Sequence, residues 1–185
     1  MMTELSLNVL DVAENSIKAK ATLVEITVTA NTESDLLTIT ISDNGCGMNE
    51  EQLKRVTDPF YTTRTTRKVG LGVSFFKLAS ETSGGEFEIT STENVGTTVK
   101  ASFGISNIDR MPLGDMSGTI HALVTLNEET DFIYTFTVDD RSFTLDTREF
   151  REILSGVSFN VPEVSAYIKD YLVSNSAEIQ QNTVL

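Results

Sequence analysis

Cysteine, histidine and basic residues are scarce in this sequence of 185 residues. The single cysteine, Cys46, excludes an internal disulfide and a zinc site built from cysteines, so we expect a protein of the reducing cytoplasm. Only 14 lysines and arginines stand against 27 acids, which gives a formal net charge of -13. Because nonspecific DNA or RNA binding requires a broad positive surface, this balance argues against a nucleic acid partner.

Long apolar runs are also missing. No stretch approaches the roughly 18 apolar residues of a membrane-spanning helix, and the N-terminus lacks the basic-then-apolar pattern of a signal sequence. We therefore expect no membrane partner. The apolar content of 39% is ordinary for a globular protein, and the length suffices for one domain with a small appendage.

Periodicity predicts alternating helices and strands in the first part of the chain. The predicted helices span 4–20, 49–56 and 72–82, and the predicted strands span 23–29, 36–42, 86–92 and 96–103. In the second strand Leu37, Ile39 and Ile41 share one face. Continuing that period of two places Asp43 on the apolar side, at the end of the strand.

The composition changes near residues 104–118, where periodicity is weak, and we place a boundary there. Beyond it we predict three strands, "HALVTL", "DFIYTFTV" and "RSFTLDT", and two helices at 147–155 and 162–173. Pro112, Leu113 and Gly114 are expected to pin this region against the core. The predicted organisation is a domain over 1–104, a small α+β accessory region over 105–174 and a disordered tail over 175–185.

The first stretch with chemical potential is "LDVAENSIKAKA". Asp11 and Asn15 are four residues apart, so they point to the same side of the helix. The amide oxygen of Asn15 can bind Mg²⁺, and the carboxylate of Asp11 can orient a water molecule. The alternative is a solvated helix face.

The second stretch, "SDNGCGM", follows the strand that ends at Asp43. A buried carboxylate without a hydrogen-bond donor is costly, and the exocyclic amine of adenine is a suitable donor. Gly45 and Gly47 allow a flat ring to approach the backbone closely. The alternative is an ordinary turn.

The third stretch is "DPFYTTRTTRKVGLG", a basic, threonine-rich segment in an acidic chain. Its Gly-x-Gly leads into a helix whose free N–H groups and positive dipole end suit a phosphate. Arg64, Arg67 and Lys68 would add positive charge, and the threonines would add hydroxyl donors. The alternative is an exposed loop.

The fourth stretch, "NVGTTV", leads into the last predicted strand of the domain. Alternation turns Thr97 toward the apolar row, where its hydroxyl is expected to hold Asp43 or a neighbouring water molecule. The alternative is an ordinary hairpin turn. Each stretch has an unremarkable alternative, but the four together, in this order and spacing, rarely arise by chance.

These four boxes resemble those of the GHKL superfamily, which includes gyrase, the large heat-shock chaperones, histidine kinases and mismatch-repair MutL. The resemblance covers about residues 5–104. It implies an α+β fold of Bergerat type, a two-layer α/β sandwich with a mixed sheet packed on helices, here with the small C-terminal extension. It also implies that ATP and Mg²⁺ lie between the layers beneath a mobile lid.

The resemblance assigns roles to individual residues. Asn15 matches the Mg²⁺ ligand, and Asp43 matches the aspartate that reads adenine. The other residues implied to bind the nucleotide are Gly45, Gly47, Met48, Thr62, Thr63, Arg64, Arg67, Lys68, Gly70, Leu71, Gly72, Val73, Gly96 and Thr97.

Two departures from the superfamily bear on catalysis. Hydrolysing members usually carry a Glu four residues before the box Asn, and this chain has Asp11 there, one methylene shorter. Glu14 is adjacent to Asn15 but turned about 100° away on the helix. The only histidine, His121, lies in a predicted strand, and no hairpin with a phosphoacceptor histidine is present, so we expect no autophosphorylation of the ordinary histidine-kinase kind.

Three functions remain open at this stage. The first is a cytoplasmic Mg-ATP-binding regulator with slow ATPase or protein (Ser/Thr or His) kinase activity toward a partner protein, such as a phosphoacceptor or signalling protein. The second is a nonenzymatic ATP-dependent switch that binds a partner. The third, a MutL-like DNA-processing ATPase, fits the boxes but not the acidity. A homodimer is left open.

Overall fold

The computed structural model describes residues 3–56 and 72–185 of the chain. Its elements in chain order are α1 (Leu5–Lys18), β1 (Leu23–Asn31), β2 (Leu36–Asp43), α2 (Glu50–Arg55), α3 (Gly72–Thr82), β3 (Phe87–Thr92), β4 (Gly96–Gly104), α4 (Met116–Leu126), β5 (Asp131–Val138), β6 (Arg141–Asp146), α5 (Thr147–Ile153) and α6 (Pro162–Gln180). The predicted elements before residue 105 are all confirmed, with boundaries that differ by at most two residues.

The six strands form one mixed sheet in the order β3-β4-β2-β1-β5-β6. Four pairs of neighbouring strands are antiparallel, and β1 pairs with β5 in parallel. The parallel pair needs a long crossover, and the chain supplies it between β1 and β5. This arrangement confirms the predicted α+β fold with a mixed sheet.

Alternation within the strands makes one face of the sheet apolar and the other polar. Val24, Ile26 and Val28 of β1 are buried, whereas Thr27, between them, is exposed. The helices cover the apolar face in the order α3, α1, α4, α6, as their mutual contacts show. The result is a two-layer sandwich, because the apolar stripe of each of these helices is buried against the apolar face of the sheet.

The region after residue 104 continues this sheet. Because β5 pairs with β1 at the centre of the sheet, residues 131–146 extend the same layer that contains β2. The predicted strand "HALVTL" is wrong, because these residues belong to α4. Met116, Ile120 and Leu123 are buried at helical spacing, and the side chain of Asp115 caps the helix by accepting from the Gly118 N–H.

The predicted disordered tail is also wrong for residues 175–180. There α6 continues to Gln180, and Ile179 is buried against the core. Leu185, at the end of the chain, is likewise only 8% exposed. Burial of these two side chains supplies the apolar contacts that hold the end of the chain against the domain.

The segment between β4 and α4 holds the beginning of α1. The backbone N–H groups of Leu5 and Ser6 donate to the carbonyl oxygens of Pro112 and Leu113, each at 2.9 Å. Because the first N–H groups of a helix have no partner within it, these bonds satisfy donors that would otherwise be unpaired. The expectation that this segment pins the C-terminal region to the core is confirmed. In the described parts of the chain, no helix has the length and apolar character needed to cross a bilayer.

Candidate functional site

A cavity of about 320 Å³ lies between α1, α3 and the ends of β2 and β4. Its volume is at the lower end of the range of ligand pockets, roughly 300–1,000 Å³. The predicted site residues that line it are Asn15, Asp43, Gly47, Met48, Gly72, Val73 and Thr97. Side chains and glycines from separate segments of the sequence therefore meet at one place.

Seven predicted site residues lie outside the described residues. They are Thr62, Thr63, Arg64, Arg67, Lys68, Gly70 and Leu71. Their assignment to the nucleotide site stays a prediction from the sequence. The described chain resumes at Gly72, which is already part of the cavity lining.

Asp43 stands at the end of β2 with both carboxylate oxygens held by protein donors. The Ser16 hydroxyl donates to Oδ2 at 2.6 Å, and the Gly45 N–H donates to Oδ1 at 2.9 Å. The side chain is half-buried and faces the cavity, as the alternation of β2 predicts. A carboxylate held in this way remains an acceptor, since each oxygen has a second lone pair.

Two glycines allow the backbone segments around Asp43 to approach one another. Gly47 has φ of 62°, and a Cβ there would overlap the carbonyl group of Thr92. Gly96 has φ of 141°, and a Cβ there would overlap the carbonyl oxygen of Asp43. Glycine is required at both positions because any side chain would meet backbone atoms that cannot move aside. Gly96 is thus adjacent to the site but is not part of the cavity lining.

Thr97 lines the cavity, but the expected contact of its hydroxyl with Asp43 is wrong. The two residues are direct partners across β4 and β2, yet Thr97 Oγ1 lies 2.8 Å from Ser91 Oγ on the opposite neighbour, β3. Ser91 Oγ also accepts from the Met48 N–H at 2.8 Å. Ser91 and Thr97 therefore fix the loop that carries Gly47 and Met48.

The three polar side chains predicted on α1 occupy different positions. Asn15 lines the cavity, while the carboxylate of Asp11 lies against Gly72, where it would collide with an added Cβ. Asp11 thus contacts the first residue of α3 but is not one of the described residues that line the cavity. Glu14 is exposed and is not among the described residues that line the cavity, which confirms that it is turned away from the side of Asn15; its carboxylate pairs with Lys18 at 2.9 Å.

The beginning of α3 contributes Gly72 and Val73 to the cavity lining. Gly72, Val73 and Ser74 are buried in its first turn. The N–H groups of a first turn have no acceptor inside the helix, and the helix dipole places partial positive charge there. This end of α3 is therefore suited to an anionic group such as a phosphate.

Sequence reasoning missed Ser16 and the apolar walls of the cavity. Ser16 follows Asn15 directly and is only 3% exposed. Its position on the buried face of an amphipathic helix was the sequence signal that could have identified it as a site residue. The walls come from Val12, Ile41 and Val99, which are also core residues. Ile41 belongs to the same alternating row as Asp43, so the sequence pattern already placed it beside the site.

His121 lies in an element that differs from the predicted one, whereas Cys46 lies at the cavity. His121 lies on α4 rather than in a strand, and its Nε2 is 2.9 Å from the Ser165 hydroxyl of α6. This contact joins two helices of the outer layer. Cys46 is exposed at the cavity, and its N–H donates to the Ala19 carbonyl at 2.9 Å.

The cavity offers a limited set of metal ligands. Within residues 3–56 and 72–185 there is no group of three or more His, Cys, Asp or Glu side chains that could hold a metal ion. Mg²⁺ usually keeps several waters and binds through one or two protein ligands together with substrate phosphates. The amide oxygen of Asn15 fits that role, so the residues present are compatible with Mg²⁺ bound together with a nucleotide.

A mixed sheet covered by helices on one face, with a cavity enclosed by an Asn-bearing helix, an Asp–glycine loop and a glycine-initiated helix, defines a GHKL-type ATPase domain. Residues 3–107, more than half of the chain, match the family described as histidine kinase-, DNA gyrase B- and HSP90-like ATPase. The chain belongs to this family.

Curated relatives include kinases of bacterial signalling. The chain is similar to histidine protein kinase DivJ of Caulobacter vibrioides, with 33% identity over 95 residues, and to sporulation kinase E of Bacillus subtilis, with 40% identity over 65 residues. These matches cover 49% and 35% of this chain. They span only 16% and 9% of the lengths of those two proteins.

Among solved structures, the chain resembles the Aquifex aeolicus MutL ATPase domain complexed with ADP. The TM-score is 0.53 at 20% identity, and the match covers 84% of this chain and 70% of that one. This likeness concerns the fold. Because it covers much more of the chain than residues 3–107, it includes part of the C-terminal region with β5 and β6.

Proposed function

We propose that this protein binds Mg-ATP in the cavity and acts as a cytoplasmic regulator of a partner protein, with slow ATPase or protein kinase activity. The observation that carries the proposal is the convergence of Asn15, Asp43 and the first turn of α3 on one cavity. An amide ligand, a carboxylate acceptor and a helix N-terminus are the groups that a metal ion, an amino-purine and a phosphate chain require.

Adenine fits the part of the cavity beside Asp43. The carboxylate accepts hydrogen bonds from Ser16 and Gly45 and retains lone pairs for one more donor. Ile41 and Val99 provide apolar walls for a flat ring, and Gly47 contributes no side chain that would obstruct it. We assign the exocyclic amine of adenine as the donor to Asp43.

The phosphate groups fit between Asn15 and the beginning of α3. Asn15 would contribute one oxygen ligand to Mg²⁺, whose role is to neutralise charge on the phosphates. The N–H groups of the first turn of α3 would donate hydrogen bonds to the phosphate oxygens. Arg64, Arg67 and Lys68 lie outside the described residues, and their contribution of positive charge to phosphate binding stays a prediction from the sequence.

The enzymatic form of the proposal assigns Asp11 as the group that orients the attacking water or hydroxyl. We expect Asp11→Asn to lower the rate of phosphate release about 10²–10⁴-fold, the usual contribution of a positioned general base. The affinity for ATP should stay within about threefold, because the amide preserves the shape of the contact with Gly72. Phosphate release and calorimetric ATP binding measure the two quantities.

Glu14→Gln is the matched control for this experiment. It removes the same charge from the same helix, at an exposed residue that is not part of the described cavity lining, although its partner Lys18 is. Its turnover should equal that of the wild type. Equal turnover of the Asp11→Asn variant and the wild type would refute the role assigned to Asp11.

A nonenzymatic switch is the second candidate, and the position of Asp11 favours it. The carboxylate packs against Gly72 at the junction of α1 and α3 rather than lining the cavity. In this alternative, ATP binding without turnover alters the surface offered to a partner. Incubation with labelled ATP and the purified products of neighbouring genes separates the two candidates. Phosphate release or transfer supports the enzyme, and saturable binding without either supports the switch.

The partner is proposed to be a protein rather than a nucleic acid. With a formal net charge of -13, the chain would be repelled by a polyphosphate backbone. Similarity to signalling kinases suggests a phosphoacceptor or signalling protein as the partner. A homodimer is compatible with the same proposal.

A further inference from the structure

The hydroxyl of Ser16 makes the shorter of the two hydrogen bonds described for the Asp43 carboxylate. It donates to Asp43 Oδ2 at 2.6 Å, a distance typical of an O–H donor paired with an ionised carboxylate. Ser16 is 3% exposed and Asp43 is half-buried, so the bond is partly shielded from water. A serine inside a helix often bonds to the carbonyl oxygen four residues earlier, but here the hydroxyl bonds across to β2.

The second oxygen of Asp43 is fixed from the other side. The Gly45 N–H donates to Oδ1 at 2.9 Å, and Gly45 itself packs against Ala19, the C-cap of the helix that carries Ser16. Ser16 lies in the last turn of α1 and Ala19 is its C-cap, and both contact the segment that begins with Asp43 at the end of β2. The carboxylate is therefore clamped between α1 and its own loop.

This clamp has two consequences for a ligand. First, the carboxylate group is already oriented, so a ligand loses less free energy in ordering it. Second, the lone pairs left on Asp43 can only accept, because Ser16 and Gly45 both act as donors. A ligand that presents an N–H to this position is favoured, and one that presents a carbonyl oxygen is disfavoured.

We propose that Ser16 is a positioning residue that holds Asp43 as a hydrogen-bond acceptor and thereby sets the preference of the cavity for 6-amino purines. The inference rests on the proposed function, namely that the cavity binds a purine nucleotide. It adds a role for Ser16, a residue of the cavity lining that acts through its hydrogen bond to Asp43. Ser16 directly follows Asn15, the proposed metal ligand. Its hydrogen bond to Asp43 therefore links α1 to the side of the cavity proposed to bind the base.

The test compares two ligands that differ only in the amine. Calorimetry with Mg-ATP and with the Mg complex of purine riboside triphosphate, which lacks the 6-amino group, is carried out on the wild type and on Ser16→Ala. We expect Ser16→Ala to weaken ATP binding about 5- to 20-fold, since a donor to a charged group is lost. Binding of the analogue should change by less than about twofold, because it makes no hydrogen bond to Asp43.

Ser80→Ala is the matched control. Ser80 is also a fully buried helical serine, on α3, and its hydroxyl donates to the Ser102 carbonyl at 2.8 Å. This variant loses a buried hydrogen bond away from the cavity, so it should lose stability without losing preference for ATP. Ser16→Thr retains the hydroxyl and is expected to restore the ratio of the two affinities, even where its added methyl group lowers stability.

Each outcome bears on a defined claim. A reduced ratio of ATP to analogue affinity in Ser16→Ala, with an unchanged ratio in Ser80→Ala, supports the inference. Equal weakening of both ligands, or no weakening of either, would overturn the role of Ser16 while leaving the proposed function intact. A wild type that binds neither triphosphate would overturn the proposed function and this inference with it.

Discussion

Asp43→Asn is expected to weaken ATP binding about 100-fold, which corresponds to about 2.7 kcal/mol. An amide has one acceptor oxygen, and the Gly45 N–H would orient it as that group now orients Oδ1. The amide NH₂ would then replace Oδ2, with Ser16 as its acceptor and its second hydrogen facing the cavity. Two donors, this N–H and the adenine amine, would oppose each other where a charged hydrogen bond is now available. Calorimetry with Mg-ATP measures the change.

The change in net charge requires its own control. Removing one negative charge from an acidic protein lowers its repulsion of ATP, which acts against the predicted loss. Glu129→Gln removes a charge from an exposed residue outside the cavity lining and measures this contribution alone. ATP affinity equal in the Asp43 and Glu129 variants would refute the assignment of Asp43 as the purine acceptor.

Gly96→Ala is expected to destabilise the domain by about 2–4 kcal/mol and to impair the nucleotide site. The residue has φ of 141°, and an added Cβ would overlap the carbonyl oxygen of Asp43. The overlap involves two backbone segments, so β4 and the end of β2 must separate. Since the Asp43 side chain moves with its backbone, ATP affinity should fall together with the free energy of unfolding in urea.

Gly156→Ala is the control that measures the cost of a positive φ without an overlap between atoms. Gly156 has φ of 82°, and an added Cβ there would have no atom within 4 Å. We expect this variant to lose only about 1–2 kcal/mol, the cost of a left-handed conformation, with ATP affinity unchanged. An equal loss of stability in both variants would show that the contact between Gly96 and Asp43 is unimportant.

Much of the fold was predictable because its determinants are local. Alternation in β2 placed Asp43 on the apolar side, where the cavity forms, and the spacing along α1 separated Asn15 from Glu14. The beginning of α2 was also predictable, since asparagine is a preferred N-cap residue and the side chain of Asn49 accepts from the Gln52 N–H. In each case the information lies within a few residues of the chain.

The errors arose where the outcome depends on tertiary contacts. Thr97 lies between β2 and β3, and the sequence does not specify to which neighbour its hydroxyl turns; Ser91 is that partner. In α4, the short apolar run "HALVTL" fits a strand as well as a helix. The helical spacing of the buried residues Met116 and Ile120 can be recognised only if the helix is taken to begin before Gly118. Those earlier residues fall in the irregular boundary that is predicted from the sequence.

The C-terminal part of the chain has a role that its sequence did not indicate. By pairing with β1, β5 places residues beyond 130 in the same sheet as the nucleotide-site strands. The likeness to the MutL ATPase domain covers 84% of the chain and so includes part of this region. The region therefore supports the sheet from which Asp43 extends.

The central claim is that the cavity between α1, α3 and the sheet binds Mg-ATP. Titration of the isotope-labelled protein with Mg-ATP, followed by NMR of the backbone amides, tests it most directly. We predict saturable shifts concentrated at Asn15, Ser16, Gly45, Gly47 and Gly72, with residues of α5 unaffected. The absence of saturable shifts, or shifts centred on another part of the molecule, would contradict the claim.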